Sequence, residues 1–254
     1  MEHALDYALL AGAAFLASLI SGLGGFGGAF VLVIALTPVV GAKAVVPIVS
    51  VFAVFSNISR LYIYRATVNW RLATQFTLAS LPGVAIGANI LAVIPERAFL
   101  VLMGTVLLTA LPARRYLDRT EFKPGLRSII GLGFVFGIVS GTAAGSGMFV
   151  IAGLSAVGLQ GTLLLGTDAG IGLVNALART WSYWLLDLLD TKLIAMGVIL
   201  GLVTFPGSWV ASLIVHRLGL KLHTRLIEIL IVTGGIWFIY LALGNEARLF
   251  SLEP

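Results

Sequence analysis

Two stretches of this chain gather serine and glycine where a helix would otherwise run. Ser21-Gly22-Leu23-Gly24-Gly25-Phe26-Gly27-Gly28 lies inside one apolar run, and Ser140-Gly141-Thr142-Ala143-Ala144-Gly145-Ser146-Gly147 lies inside another. Each glycine costs a helix about 1 kcal/mol relative to alanine, so the glycines between 22 and 28 should unwind it. Unwound backbone at membrane depth is tolerated only inside protein or beside a polar cavity. A helix that restarts after such a break presents unpaired N–H groups and the positive end of its dipole. That is an anion site made without a charged side chain, and Ser21, Ser140, Thr142 and Ser146 would add hydroxyl donors. The competing reading is that the glycines serve only close helix packing; two matching breaks favour the functional one.

Three charged side chains stand in apolar surroundings. Arg60 and Arg179 follow Asn57 and Asn175 by three and four residues. An arginine within a span costs at least about 2.5–3.5 kcal/mol at the helix centre. Either the pair draws in or balances an anion, or the side chains snorkel to the interface, as Arg60 near Arg65 would. Asn57 and Asn175 either hydrogen-bond a ligand or tie helices together. Asp168 is an acidic residue well inside a span, and buried carboxylates in membranes often mark proton paths. It either couples protons or pairs with an arginine of another helix. Arg179 is out of its reach, because eleven residues of helix rise roughly 16 Å.

Other chemistries find little support. A Walker-A loop and a His-Glu-x-x-His site are both missing, and no histidine lies inside a span to activate Ser146. With no cysteine, disulfides and thiolate metal sites are excluded. The sequence therefore points away from an enzyme, and no metal or cofactor is expected. The net charge of +5 is no nucleic-acid signature, because the basic residues lie between apolar spans.

The elements that must position these groups are membrane helices. Apolar types make up 59% of the 254 residues and charged types 11%, against about 25% in soluble domains. No Asp, Glu, Lys or Arg occurs from Tyr7 to Ala42, Leu72 to Pro95, or Ser128 to Thr167. A spanning helix needs ~20 apolar residues, and in lipid its backbone must satisfy its own hydrogen bonds. The fold class is therefore all-α, a polytopic membrane protein. Met1-Glu2-His3 lacks the basic start of a cleaved signal, so the first apolar run is expected to remain as a membrane segment.

The chain repeats itself. Ser21-Gly22 and Gly28 correspond to Ser140-Gly141 and Gly147, Asn57…Arg60 to Asn175…Arg179, and Pro82-Gly83 to Pro206-Gly207. Such repeats are common in transporters. The expected organisation is a first membrane repeat at 1–114, a charged linker at 115–127 and a second repeat at 128–254. Segments are expected at 4–40 (broken at 22–28), 44–64, 72–94 and 97–114, then at 128–157 (broken at 141–147), 162–187, 192–216 and 224–243. If each broken segment is a kinked span, each half crosses four times. If it is a hairpin, each half is a glycine-broken helical hairpin plus three transmembrane helices, and the two repeats are inverted. Lys and Arg counts favour the hairpin, with ten on one face and four (Lys43, Arg97, Lys192, Arg248) on the other, against nine and five for the kink. That places both termini in the periplasm.

The ordered set of motifs resembles the TauE/SafE family of sulfite and organosulfonate exporters. The resemblance covers roughly residues 8–243. It rests on the serine–glycine segment at 21–28, its weaker repeat at 140–147, Gly166-Thr167 leading into Asn175 and Arg179, and the two Pro-Gly pairs. It implies a bacterial inner-membrane transporter exporting sulfite or organosulfonates such as sulfoacetate by alternating access, with two halves that rock. It also implies that the breaks line the substrate path, which carries onto Ser21, Gly24, Gly25, Gly27, Gly28, Ser140, Thr142, Ser146 and Gly147. Ala143 and Ala144 replace two glycines of the first break, so the halves need not act equally. The partners implied are a small anionic substrate and the lipid bilayer; a homo-oligomer is left open. The alternatives are another anion (sulfate, thiosulfate, a carboxylate), a cation, or, from a different class, an intramembrane enzyme or assembly factor.

Overall fold

The computed structural model describes residues 12–21, 28–119, 125–144, 146–215 and 220–243, and the regular structure there is helical throughout. The first repeat contributes α1 (Gly12–Ser21), α2 (Gly28–Val40), α3 (Ala42–Tyr64), α4 (Trp70–Val93) and α5 (Glu96–Arg119). The second contributes α6 (Leu126–Thr142), α7 (Gly147–Ala156), α8 (Gly161–Leu185), α9 (Thr191–Leu202), α10 (Thr204–Val215) and α11 (Leu220–Leu243). Among the described residues four helical stretches are long and apolar enough to cross a membrane: Ala42–Thr67, Trp70–Val93, Gly161–Leu185 and Thr191–Ala211.

The ends of these helices are set by local chemistry. Asn69 accepts a hydrogen bond from the Leu72 amide (3.1 Å) and Asp190 from the Leu193 amide (2.8 Å), capping α4 and α9. At the other end of α4, Lys43 donates to the Ile94 carbonyl at 2.8 Å, and Arg97 donates to the Ala242 carbonyl of α11 at 3.0 Å. Both cations sit where a helix presents bare carbonyls and a partial negative charge.

Two boundaries differ from expectation. Helix α5 runs to Arg119, into the stretch read as linker, because arginine and leucine are good helix formers. The segment expected at 192–216 is divided at Val203 into α9 and α10. Pro206, with no N–H and a ring that clashes one turn back, explains the break, and the Thr204 hydroxyl takes up the Gly201 carbonyl at 2.6 Å. Pro82 has the same effect available, yet α4 continues through it.

The closest packings join one repeat to the other. Helices α4 and α6 lie side by side in the same direction: Gly133 faces Phe76, Gly137 faces Ser80, and Gly141 faces Val84. A Cβ at Gly83, Gly87, Gly137 or Gly141 would run into the backbone of the facing helix, the close approach that small residues permit between membrane helices. Helices α3 and α8 run in opposite directions. Thr67 meets Thr162, Tyr64 meets Gly166, Asn57 meets Gly172 and Ser50 meets Thr180. Helices α5 and α11 are likewise antiparallel, with Arg97 at Ala242, Gly104 at Ile239 and Leu108 at Gly235. Helix α9 runs parallel to α3, Gly197 against Val51 and Gly201 against Phe55. Gly207 of α10 packs on Ser18 of α1, as Gly83 of α4 packs on α6.

The exterior is apolar, while several polar side chains are buried beside an apolar core. Leu78, Val93, Ile199, Leu213 and Tyr240 are exposed, as are Trp70, Trp181, Trp184, Trp209 and Trp237. Ser50, Ser80, Thr167, Asp168 and Asn175 are buried. So extensive an apolar exterior fits lipid rather than water.

Candidate functional site

The three buried charged side chains, with several buried serines and two asparagines, line one cavity. Its wall is formed by Ser21 at the end of α1, Gly28 and Ala29 at the start of α2, Ser56, Asn57 and Arg60 of α3, Phe136 and Ser140 of α6, Ser146, Gly147 and Val150 at the start of α7, and Asp168, Gly172, Asn175 and Arg179 of α8. The cavity volume is about 80 Å³, several times the ~10–15 Å³ that one water needs. A small oxyanion fits such a space.

Sequence positions more than a hundred residues apart thus meet as the internal repeat suggests. Ser21, Gly28, Asn57 and Arg60 face Ser140, Ser146, Gly147, Asn175 and Arg179 around the same space. Gly24, Gly25 and Gly27 lie outside the described residues. Thr142 does not line the cavity. Its hydroxyl donates to the Ile138 carbonyl (2.9 Å) and to the Gly87 carbonyl of α4 (3.2 Å), tying α6 to α4.

The two arginines are held differently. Arg60 is 5% exposed, so it does not snorkel. Its Nη1 donates to Asp168 Oδ2 at 2.7 Å, and its Nη2 donates to the Asn57 side-chain carbonyl. The Asn57 amide in turn donates to the Ala53 carbonyl at 2.7 Å, which fixes its orientation. Both charges of the ion pair are buried, and a pair this short has charge-assisted geometry. Asp168 therefore spends its carboxylate on an arginine of the other repeat.

Arg179 is 8% exposed. Its Nη1 donates to the Ser140 carbonyl at 3.2 Å, while its Nε has no partner. No carboxylate lies within ion-pair distance of it among the described residues. One turn on, the Tyr183 hydroxyl donates to the Gly141 carbonyl at 2.7 Å. These two side chains satisfy carbonyls that α6 leaves bare at its C-terminus. Asn175 accepts from the Ser80 hydroxyl at 2.9 Å and donates to the Ile171 carbonyl at 3.0 Å, which joins α8 to α4.

Sequence reasoning missed Ser56, Gly172 and Tyr183. Ser56 Oγ stands 3.4 Å from Ser21 Oγ, and its position beside Asn57 was the available signal. At Gly172 a Cβ would lie 2.6 Å from Asn57 Oδ1, so the absent side chain is what admits the asparagine that holds Arg60.

The arrangement offers a cation without a carboxylate partner among the described residues, hydroxyls and the N-terminus of α7, around a partly open space whose wall is otherwise largely apolar. No curated protein and no solved structure matches the chain. The family described as sulfite exporter TauE/SafE does match, over residues 10–238. Covering nearly all of the 254 residues, that match shows that this multi-pass membrane protein belongs to the TauE/SafE sulfite exporter family of transporters.

Proposed function

We propose that this chain carries sulfite, or another small sulfur oxyanion of similar size, out of the cell by alternating access at the cavity between α3, α6, α7 and α8. One observation carries the reading: Arg179 is buried in the cavity wall with no carboxylate partner among the described residues. A buried charge is strongly unfavourable unless compensated, and an anion in the cavity is the missing compensation. Ser21, Ser56, Ser140 and Ser146 supply hydroxyls, Gly28 and Gly147 let backbone approach, and Asn57 and Asn175 hold the walls. Organosulfonates such as sulfoacetate are the larger candidates for the same site.

The inverted hairpin organisation is part of this proposal. With four crossings per half, corresponding helices would run in the same direction. The antiparallel register of α3 with α8 and of α5 with α11 instead supports two oppositely oriented repeats. Gly28 lies against Ala17 and Ser21, so α2 begins beside the last turns of α1, as a hairpin requires. In a bacterial inner membrane the charge count then puts the termini in the periplasm. The backbone-to-backbone packing of α4 on α6 favours moving bodies other than the sequence halves.

The membrane potential drives export of an anion by about 2.3 kcal/mol per charge per 100 mV. The ion pair of Asp168 with Arg60 favours a fixed structural role for this carboxylate over a proton-carrying one. The test is sulfite and sulfoacetate flux in proteoliposomes at two clamped potentials, with a pH gradient on or off. Flux that follows the potential without requiring the gradient is expected. Flux that requires the gradient would return Asp168 to a coupling role, and absence of flux from folded protein would refute the substrate.

A further inference from the structure

Among the described residues the cavity wall contains three charged side chains, and their balance is uneven. Arg60 and Arg179 are positive and Asp168 is negative. The remaining lining residues are neutral, as are residues 22–27 and 145 of the two breaks. Asp168 and Arg60 neutralise each other at 2.7 Å, so the wall presents one net positive charge, that of Arg179. The C-terminus of α6 and the N-terminus of α7 both end at this wall, and their partial charges of opposite sign offset each other.

The matching region of the first repeat, Pro47-Ile48-Val49-Ser50, carries no acidic residue. With Asn57 set against Asn175, the position of Asp168 in the first repeat is Ser50. Ser50 lies outside the cavity wall, its Oγ standing 3.0 Å from Thr180 Oγ1.

Resting on the anion-carrier reading above, we propose that the cavity is a single-charge site. It takes an oxyanion bearing one negative charge, such as hydrogen sulfite or a simple sulfonate. Asp168 sets that valence by neutralising Arg60. A doubly charged oxyanion in the same space would leave one charge uncompensated where the dielectric is low, which disfavours it. Asp168 is thus a selectivity-determining residue that acts through Arg60, without any requirement that it touch the anion.

The experiment compares methanesulfonate with sulfate, two tetrahedral anions of near-equal size that carry one and two charges across the neutral pH range. Affinity is measured by calorimetry on the detergent-solubilised full chain at fixed pH and ionic strength. The wild type is expected to bind methanesulfonate more tightly. Asp168→Asn frees the charge of Arg60, and the affinity ratio should move toward sulfate by roughly tenfold or more. The double variant Arg60→Gln/Asp168→Asn has the wild-type net charge, so it should restore the preference for methanesulfonate even where both anions bind more weakly. If Asp168→Asn fails to fold, the double variant still decides, because a preference for sulfate in it overturns the proposal. An unchanged ratio in folded Asp168→Asn, or a wild type that favours sulfate, overturns it too, while leaving an anion site in place. Binding of neither anion by folded wild type overturns the anion-site reading itself.

Discussion

Replacing Arg179 with glutamine removes the cavity charge that lacks a carboxylate partner among the described residues and keeps an amide that can hydrogen-bond in its place. A cavity of about 80 Å³ has the volume of a sphere ~5 Å across, so an anion inside stands within ~4–6 Å of a guanidinium in the wall, and at an effective dielectric of about 20 the attraction is about 3–4 kcal/mol. Water entering the vacated space and the residual amide hydrogen bond reduce the loss to about 2–3 kcal/mol, or roughly 30- to 150-fold in affinity. The assay is calorimetric titration of sulfite into detergent-solubilised protein, with thermal unfolding as a check on the fold. Arg179→Lys, which keeps the charge and gives up the planar fork, should lose less. Affinity within about threefold of wild type for folded Arg179→Gln would refute the placement of the anion beside this guanidinium.

Further expectations follow from the same geometry. If one negative charge moves per cycle without a proton, a clamped potential of 100 mV should sustain a roughly 50-fold gradient of labelled anion in proteoliposomes; a far steeper gradient would mean a second charge. Gly172→Ala sets a methyl group against Asn57 Oδ1 and should weaken anion binding through Arg60. Asn57→Ala in the same chain should remove most of that penalty, and strict additivity in the cycle would argue against the link. Gly87→Ala forces a Cβ into the Ile138 carbonyl and should destabilise the protein by about 1–3 kcal/mol, read as a lowered melting temperature in detergent. Lys43→Met strips the cap from the end of α4 and should cost about 1 kcal/mol of stability with little effect on binding.

Much of this was legible in the sequence because membrane folding writes its constraints plainly. The segments expected at 44–64, 72–94 and 162–187 fall within a few residues of α3, α4 and α8, and the second glycine-containing break located the end of α6 and the start of α7. What the sequence could not show is which buried charge meets which. Arg60 and Arg179 occupy matching places in the repeat and look equivalent along the chain, but the partner of Arg60 is 108 residues away on α8. Only the antiparallel crossing of α3 and α8 brings Asp168 to one arginine and leaves the other without a carboxylate partner among the described residues. Thr142 was misread for a similar reason. It sits in the break, but α4 lies so close to α6 that the hydroxyl bonds to a backbone carbonyl instead of facing the cavity. The division at Val203 was hidden because Pro82, in the matching place, leaves its helix whole.

The glycine contact of α4 with α6 has a consequence for how such a chain is assembled. The first repeat made alone would expose the Gly83–Gly87 face of α4 with nothing to receive it, and the second alone would expose the Gly133–Gly137–Gly141 face of α6. Neither half is then a folding unit. A chain cut between residues 120 and 124 should still assemble when both fragments are synthesised together, and a single fragment should survive only by pairing with a second copy inserted the opposite way up.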